Sequence, residues 1–334
     1  MSIQSELPPE VSGLLRSAVV SEFATISAAG VPIDTPILCL TPDDLATVDL
    51  ATGIAYPAKA ERARRNPRVG LLIEGMAPGE PVISIAGLAS VRDADIQANA
   101  LRYIAETASG GAVIVPWETA REAVWYWSRI IIEVTPVRVL WWASRDLMDG
   151  PPQRWEATAG TVSRPSDPAP AGSISAAPKW GETPWRELAA AAAASTMPAH
   201  LTLLDEHGFP LPFRVADIVV TDAGSRFCVP AGAPWQKQGK ATLSYEGRST
   251  FVGEATLDGA EATMTVERTL PMVADLNELW TPSPTTREPL MARLRHELAR
   301  RGQTIPAIPD AEPAPTKGAQ ARKARIERLK ALAG

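Results

Sequence analysis

The sequence predicts a mainly β protein with α decoration, built as two tandem β-barrel modules within one chain. Three observations predict it. Strand-like apolar segments recur at short spacing between Gly-, Pro- and Asp-bearing turns, with few helices among them. The order of elements in the first half returns in the second, after a Pro/Ala/Ser-rich stretch. And 334 residues exceed one average domain and suit two of moderate size.

Pro8 and Glu10 open a short helix to about Ser17, with Val11, Leu14, Leu15 and Val19 at helical spacing. Phe23 to Ser27 reads as a strand, Ala28-Ala29-Gly30 as a hairpin turn, and Val31 to Leu40 as the return strand. Pro36 marks an edge or a bulge there, since proline offers no N–H to a ladder. After the turn Thr41–Asp44, Leu45–Leu50 is a third strand. Pro57 heads a helix to Arg65, which Asn66-Pro67 stops. Val69–Ile73 and Val82–Val91 are strands, Asp93 caps a helix to about Thr107, and Ile130–Val134 with Val137–Trp142 form a last strand pair. These elements make module one, residues 1–149.

Residues 150–183 are dense in Pro, Ala, Ser and Gly and read as a linker with too little apolar surface to order itself. Module two, residues 184–305, repeats the pattern: a helix Trp185–Ala194, a strand Leu201–Leu204, a turn Asp205–Gly208, then five strands. A helix at about Arg287–Arg301 matches the late helix of module one. Gly30-Val31-Pro32 returns as Gly208-Phe209-Pro210. Residues 306–334 are a Pro-rich and basic tail, with a short helix expected to be solvated.

Composition narrows the function. A formal charge of −5 gives no nucleic-acid footprint, and three dispersed histidines with two cysteines make neither a zinc pattern nor a recognisable triad. Cys39 and Cys228 read as buried thiols of a reducing compartment. The first residues lack a basic region followed by an apolar run, and Ala189–Ala194 is too short to span a bilayer, so a cytoplasmic, membrane-free protein is expected.

The chemistry concentrates in residues 51–69. A strand ends at Thr52-Gly53 and a helix starts a few residues on with Lys59 in its first turn. Free N–H groups at a helix start, with an ammonium beside them, suit a phosphate, and the Thr52 hydroxyl adds a donor. Read from residues alone, the segment is either this anion site or a solvated basic helix.

The succession strand, Gly-x-Pro, strand, turn, strand, then a Lys59-bearing helix closed by Asn66-Pro67-Arg68-Val69, resembles the FMN-binding split β-barrels of the pyridoxamine 5′-phosphate oxidase superfamily. The resemblance covers roughly residues 10–145, and 184–302 more weakly. It implies that Lys59 holds the FMN phosphate, that Thr35 and Thr52 bond the ribityl chain or ring, and that Trp141 or Trp142 flanks the isoalloxazine. Neighbours on a strand point oppositely, so these two tryptophans cannot both face inward; core or interface packing is their alternative role. Where relatives carry Ser-Arg-Lys, this chain has Pro57-Ala58-Lys59, so Arg62 or Arg65 would supply the missing cation. Module two has Pro230–Lys240 in place of the phosphate helix and reads as a partner that lost its own site. The two halves would then form an intrachain pseudo-dimer around one flavin site, with further homo-oligomerisation open. The implied function is an FMN-dependent oxidoreductase acting on a small-molecule substrate. A deazaflavin could replace FMN, and a non-catalytic cofactor-binding or interaction protein is the alternative, with haem a weaker one.

Overall fold

The computed structural model describes residues 6–108, 115–175, 184–195, 197–245, 249–270 and 280–333. Helix α1 (Pro9–Ser17) buries Val11, Leu14 and Leu15 on one face and leads into β1 (Val20–Ile26), β2 (Pro32–Cys39) and β3 (Val48–Gly53). Helix α2 (Ala58–Arg65), β4 (Arg68–Glu74), β5 (Val82–Arg92) and α3 (Ile96–Thr107) follow. Two single-turn helices, α4 (Trp117–Ala120) and α5 (Val124–Trp127), precede the long strand β6 (Arg129–Trp142). The strands lie in the order β3-β2-β1-β4-β5-β6, and a β3–β6 ladder closes the barrel. Between β2 and β3 it is nearly split, because they pair only through Leu38↔Ala51 and Cys39↔Leu50. Pro36 sits in β2 just beyond this short ladder, where a residue without an N–H costs nothing.

A short strand β7 (Gln153–Glu156) pairs with β6 before helix α6 (Trp185–Ala193) opens the second module. Its strands are β8 (Ala199–Leu204), β9 (Pro210–Val220), β10 (Gly224–Cys228), β11 (Gln238–Tyr245), β12 (Ser249–Asp258) and β13 (Glu261–Leu270). They close in the cyclic order β10-β9-β8-β11-β12-β13, strand for strand the topology of the first barrel. The hairpins match too. Ile26 pairs with Pro32 and Leu204 with Pro210, each turn passing through a glycine at positive φ, Gly30 (76°) and Gly208 (79°). Only glycine takes that left-handed conformation without steric cost.

The barrels pack face to face. Leu72, Val82, Ala86, Leu140 and Trp142 point out of the first barrel onto Leu211 and Phe213 of β9. Gly70 lies at the closest approach, where an added Cβ would stand 1.6 Å from the Pro210 carbonyl oxygen. The register makes Gly70 the counterpart of Thr242 and Pro32 that of Pro210. The Thr242 hydroxyl donates to the Pro32 carbonyl, so the two contacts are related by a pseudo-twofold axis. The chain is thus two split-barrel modules forming an intrachain pseudo-dimer.

Several expectations need correction. Within the stretch read as a linker, residues 164–167 are held on the first barrel by polar contacts that composition does not reveal. The Asp167 carboxylate accepts from the N–H groups of Asp93 and Ala94, Ser166 Oγ accepts from the Val91 N–H, and the Ser90 hydroxyl donates to the Arg164 carbonyl. Asp95, not Asp93, caps α3 by accepting from Ala98 N–H, because Asp93 is taken by Arg64 and Arg301. The expected last strand pair is one 14-residue strand with a register shift near Pro136. Helix α7 (Pro284–Arg300) is no counterpart of α3 on the second barrel: Leu290, Leu294 and Leu298 join the core of the first. Helix α8 (Lys317–Ala333) returns there as well. Arg322 and Arg325 on its inner face are buried, paired with Glu106 and Glu80, so the expected solvated helix is half-buried instead. Cys39 is buried, and burial lifts its thiol to about 11; Cys228 is only partly covered.

Candidate functional site

Four cations gather around the turn from β3 into α2. Helix α2 buries Ala60 and Ala63, which fixes Lys59 and Arg62 on its adjoining face toward β1 and β2. Lys59 Nζ donates to the Pro36 carbonyl at the split, and Arg62 Nε donates to Thr25 Oγ1 at 2.7 Å. Arg129, first residue of β6, reaches the end of β3 at Gly53 and stacks its guanidinium 4.3 Å from the rings of both Tyr103 and Tyr126. Arg293 of α7 lies 4.3 Å from the Tyr56 ring, just before α2. None of the four makes an ion pair among the described residues, and Arg129 Nε, Arg293 Nε and Arg293 Nη1 are buried without an acceptor there. Crowding of like charge around these half-buried groups has the expected effect. Burial, then the Arg62 charge, lowers Lys59 to about 8; burial, then Arg65, lowers Arg62 to about 10. Pro57 provides no side-chain cap, so the first-turn N–H groups of α2 are free of that competitor.

Beside this cluster a buried polar row crosses between the barrels. His200 of β8 places Nε2 3.1 Å from Glu74 Oε2 and Nδ1 3.5 Å from Glu22 Oε1. Burial disfavours the imidazolium, but the Glu22 and Glu74 carboxylates beside it outweigh this and push His200 up to about 10. Burial, and next the Glu22 charge, hold Asp34 well above the usual carboxylate range. Glu22 and His200 occupy equivalent positions, since Glu22 pairs with Leu72 and Pro36, and His200 with Ser244 and Arg214. They therefore meet at the pseudo-twofold axis. Two identical chains would place like residues there; within one chain the positions have become an acid and a base.

Of the carboxylates near Lys59, Glu22 faces His200, and Asp34 is buried with neither oxygen hydrogen-bonded among the described residues. No ion pair among the described residues balances the four cations of this cluster. The residues present fit a phosphate group.

Of the residues singled out by sequence, Lys59, Arg62 and Thr35 come together around β1, β2 and α2. Thr35 Oγ1 is buried with no partner among the described residues, and Thr52 is buried opposite Ile130 on β3. Trp141 and Trp142 do not belong to this group. They end β6, whereas Arg129 starts it, and at about 3.3 Å per residue they stand at the far end of the barrel. Trp141 faces the core of the first barrel. Trp142 faces outward, donating Nε1 to the Gly150 carbonyl at 2.9 Å and meeting the Phe213 ring edge-on at 5.6 Å. Phe213 is the counterpart of Thr35. In the second barrel the equivalent place is thus filled by Phe213, Trp142 and Trp235. The loop replacing α2 there is tied down by Trp235 Nε1 donating to the Leu211 carbonyl. Sequence reading missed Arg129, Arg293, Asp34 and the row Glu22–His200–Glu74. For all but Arg293, which lies on α7, the available signal was ionisable residues in otherwise apolar strands.

No family model and no curated protein matches the chain. Solved structures do match it in part. A Clostridium acetobutylicum protein of the pyridoxinephosphate oxidase family, related to general stress protein 26, is 13% identical over 46% of this chain and 94% of its own, with a TM-score of 0.32. A Nostoc punctiforme protein, pyridoxamine 5′-phosphate oxidase-related and FMN-binding, is 14% identical over 40% of this chain and 84% of its own, at 0.30. HutZ, the haem storage protein of Vibrio cholerae, is 14% identical over 39% and 89%, at 0.29. This chain is similar to pyridoxamine 5′-phosphate oxidase-like split barrels, each such match spanning less than half of its length.

Proposed function

We propose that the first barrel holds the phosphate of FMN and that the chain is an FMN-dependent oxidoreductase acting on a small molecule. The observation that carries this reading is the group of four cations around the start of α2 that lack a carboxylate partner among the described residues. Lys59 and the first-turn N–H groups of α2 would bind the phosphate. Arg62 and Arg129 would supply the positive charge absent at Pro57-Ala58, while the Thr35 and Thr52 hydroxyls would bond the ribityl chain or ring. Bound flavin supplies hydride chemistry of its own, so the protein needs to contribute only binding, orientation and a dry pocket. The second barrel contributes Val252 and Leu270, packed on Val31 and Ile33 of the first, as part of that dry wall.

The filling of the equivalent place in the second barrel by Phe213, Trp142 and Trp235 favours one further reading, cofactor binding without turnover. Haem finds less support, because both ring nitrogens of His200 face carboxylates and His207 and His296 lie at the exposed surface. Absorbance of the purified protein after FMN addition and gel filtration, followed by anaerobic NAD(P)H, separates these readings. A retained flavin band that NAD(P)H bleaches supports the oxidoreductase. A band that persists supports binding alone, and no retained band removes flavin from the protein's function.

A further inference from the structure

Helix α7 follows the second barrel in sequence, yet it is fastened to the start of α2 in the first. Arg300 and Arg301 at its end reach Glu61, in the first turn of α2, at 3.4 and 3.5 Å, and Arg301 also pairs with Asp93 at 2.9 Å. Leu290, Leu294 and Leu298 seat another face of α7 in the core of the first barrel. Arg293 comes about two turns before Arg300 and so lies on the same side of the helix. That side delivers its guanidinium to the ring of Tyr56, two residues ahead of α2, at 4.3 Å.

Arg129 meets the same turn from β6. A Cβ added at Gly53 would stand 3.4 Å from Arg129 Nη1 and 4.0 Å from the Tyr56 ring, so the end of β3 brings both to one place. The rings of Tyr103 and Tyr126 fix the Arg129 guanidinium, and Trp280, just before α7, packs on Tyr126 with centroids 4.2 Å apart. One connected aromatic group therefore ties α7 to the residues that hold Arg129. Arg129 is 9% exposed, and its Nε, like Nε and Nη1 of Arg293, is buried without an acceptor among the described residues. Buried donors are nearly always satisfied, so idle guanidinium N–H groups on both sides of one ring call for a ligand. The carboxylates around α7 are engaged elsewhere. Glu297, one turn on from Arg293, accepts from the Ser175 N–H, Arg300 and Arg301, and Asp93 is held by Arg64 and Arg301.

We propose that Arg293 of α7 and Arg129 of β6 together hold a phosphate monoester group at the Tyr56 turn, which makes α7 a wall of the binding site. With FMN as the source of that phosphate the proposal rests on the flavin reading; a phosphorylated small molecule is the other source of the same chemistry. A carboxylate presents two coplanar oxygens, which one guanidinium fork satisfies. A phosphate monoester presents three, and two forks arriving from different elements match it.

Isothermal titration of the full chain with phenyl phosphate and with benzoate tests it, in wild type, Arg293→Met and Arg293→Lys. Saturable one-to-one binding of phenyl phosphate, at least tenfold tighter than benzoate, is expected. Arg293→Met, which keeps an unbranched stem against Tyr56, should weaken phenyl phosphate at least tenfold, and Arg293→Lys, which keeps the charge and loses the fork, should weaken it less. Should Arg293→Met fail to fold, Arg293→Lys against wild type decides alone. Repeating the titration on FMN-loaded protein separates the two sources: phenyl phosphate excluded by FMN assigns the group to the cofactor, and phenyl phosphate bound beside FMN assigns it to a phosphorylated substrate. Wild type that retains no FMN yet binds phenyl phosphate through Arg293 removes the flavin reading and leaves the subsite standing. Absence of saturation by phenyl phosphate at about 10 mM, equal affinity for benzoate, or unchanged affinity in the Arg293 variants would each overturn the proposal, whether or not FMN binds.

Discussion

Replacing His200 with leucine tests whether the row Glu22–His200–Glu74 holds the two barrels together as charges. In the folded protein His200 rises from 6.5 to about 10, and each unit is worth about 1.4 kcal/mol, which bounds its contribution near neutrality at about 5 kcal/mol. Removing one partner of a buried ionic group strands the others, at a typical cost of about 3–5 kcal/mol. Both routes give the same magnitude, so His200→Leu is expected to lose about 3–5 kcal/mol in urea unfolding at pH 7. The sign of its pH dependence is also fixed. A group whose folded pKa is raised stabilises fully below its unfolded value, and that stabilisation fades as pH rises from about 6.5 through 10. The stability gap between wild type and His200→Leu should therefore close across this window. Taking the difference removes the opposing contribution of Lys59, whose folded pKa is depressed. Adding Glu22→Leu should return part of the loss, since it removes the stranded carboxylate. A loss below about 1 kcal/mol at pH 7, or a gap that does not change with pH, would refute the reasoning.

Other outcomes rest on the same contacts. Gly70→Ala must displace the Pro210 carbonyl and is expected to lower stability by about 1–3 kcal/mol or more, whereas Gly13→Ala, with nothing near its Cβ position, should be neutral or stabilising; thermal melts of both check this. Lys59→Ala should weaken FMN binding by about 1–3 kcal/mol in a fluorescence titration. Because free Lys59 titrates at about 8, the wild-type affinity should fall between pH 7 and 9.5 by more than that of the variant. Trp142→Ala should cost about 3–5 kcal/mol through the cavity it leaves against Phe213, measured by urea unfolding, without creating a second flavin site.

The barrel architecture was legible because its signals are local. Turn residues, alternating apolar segments and the Gly-apolar-Pro hairpins at Gly30 and Gly208 recur at matching points, and α2 runs from Ala58 to Arg65 as its helix formers and Asn66-Pro67 imply. What escaped depends on long-range polar contacts. Asp167 is pinned by the N–H groups of Asp93 and Ala94, and Arg300 and Arg301 of α7 reach Glu61 and Asp93 of the first barrel. A basic helix reads as solvated whenever the carboxylates that neutralise it lie far off in sequence, as Glu106 and Glu80 do from Arg322 and Arg325. The tryptophans of β6 illustrate the limit differently. Alternation correctly required them to face opposite sides, but nothing local told which end of the barrel they occupy. Lys59 was visible as a helix-start lysine; Arg129 and Arg293, arriving from β6 and α7, were not.

Counting the FMN bound per chain by equilibrium titration, in wild type, Lys59→Ala and Lys237→Ala, where Lys237 lies in the segment Pro230–Lys240 that stands in place of α2 in the second module, tests the single-site flavin reading most directly. One equivalent for wild type and Lys237→Ala, with affinity reduced at least fivefold in Lys59→Ala, is the expected result. Two equivalents per chain, or a single site insensitive to Lys59, would contradict it.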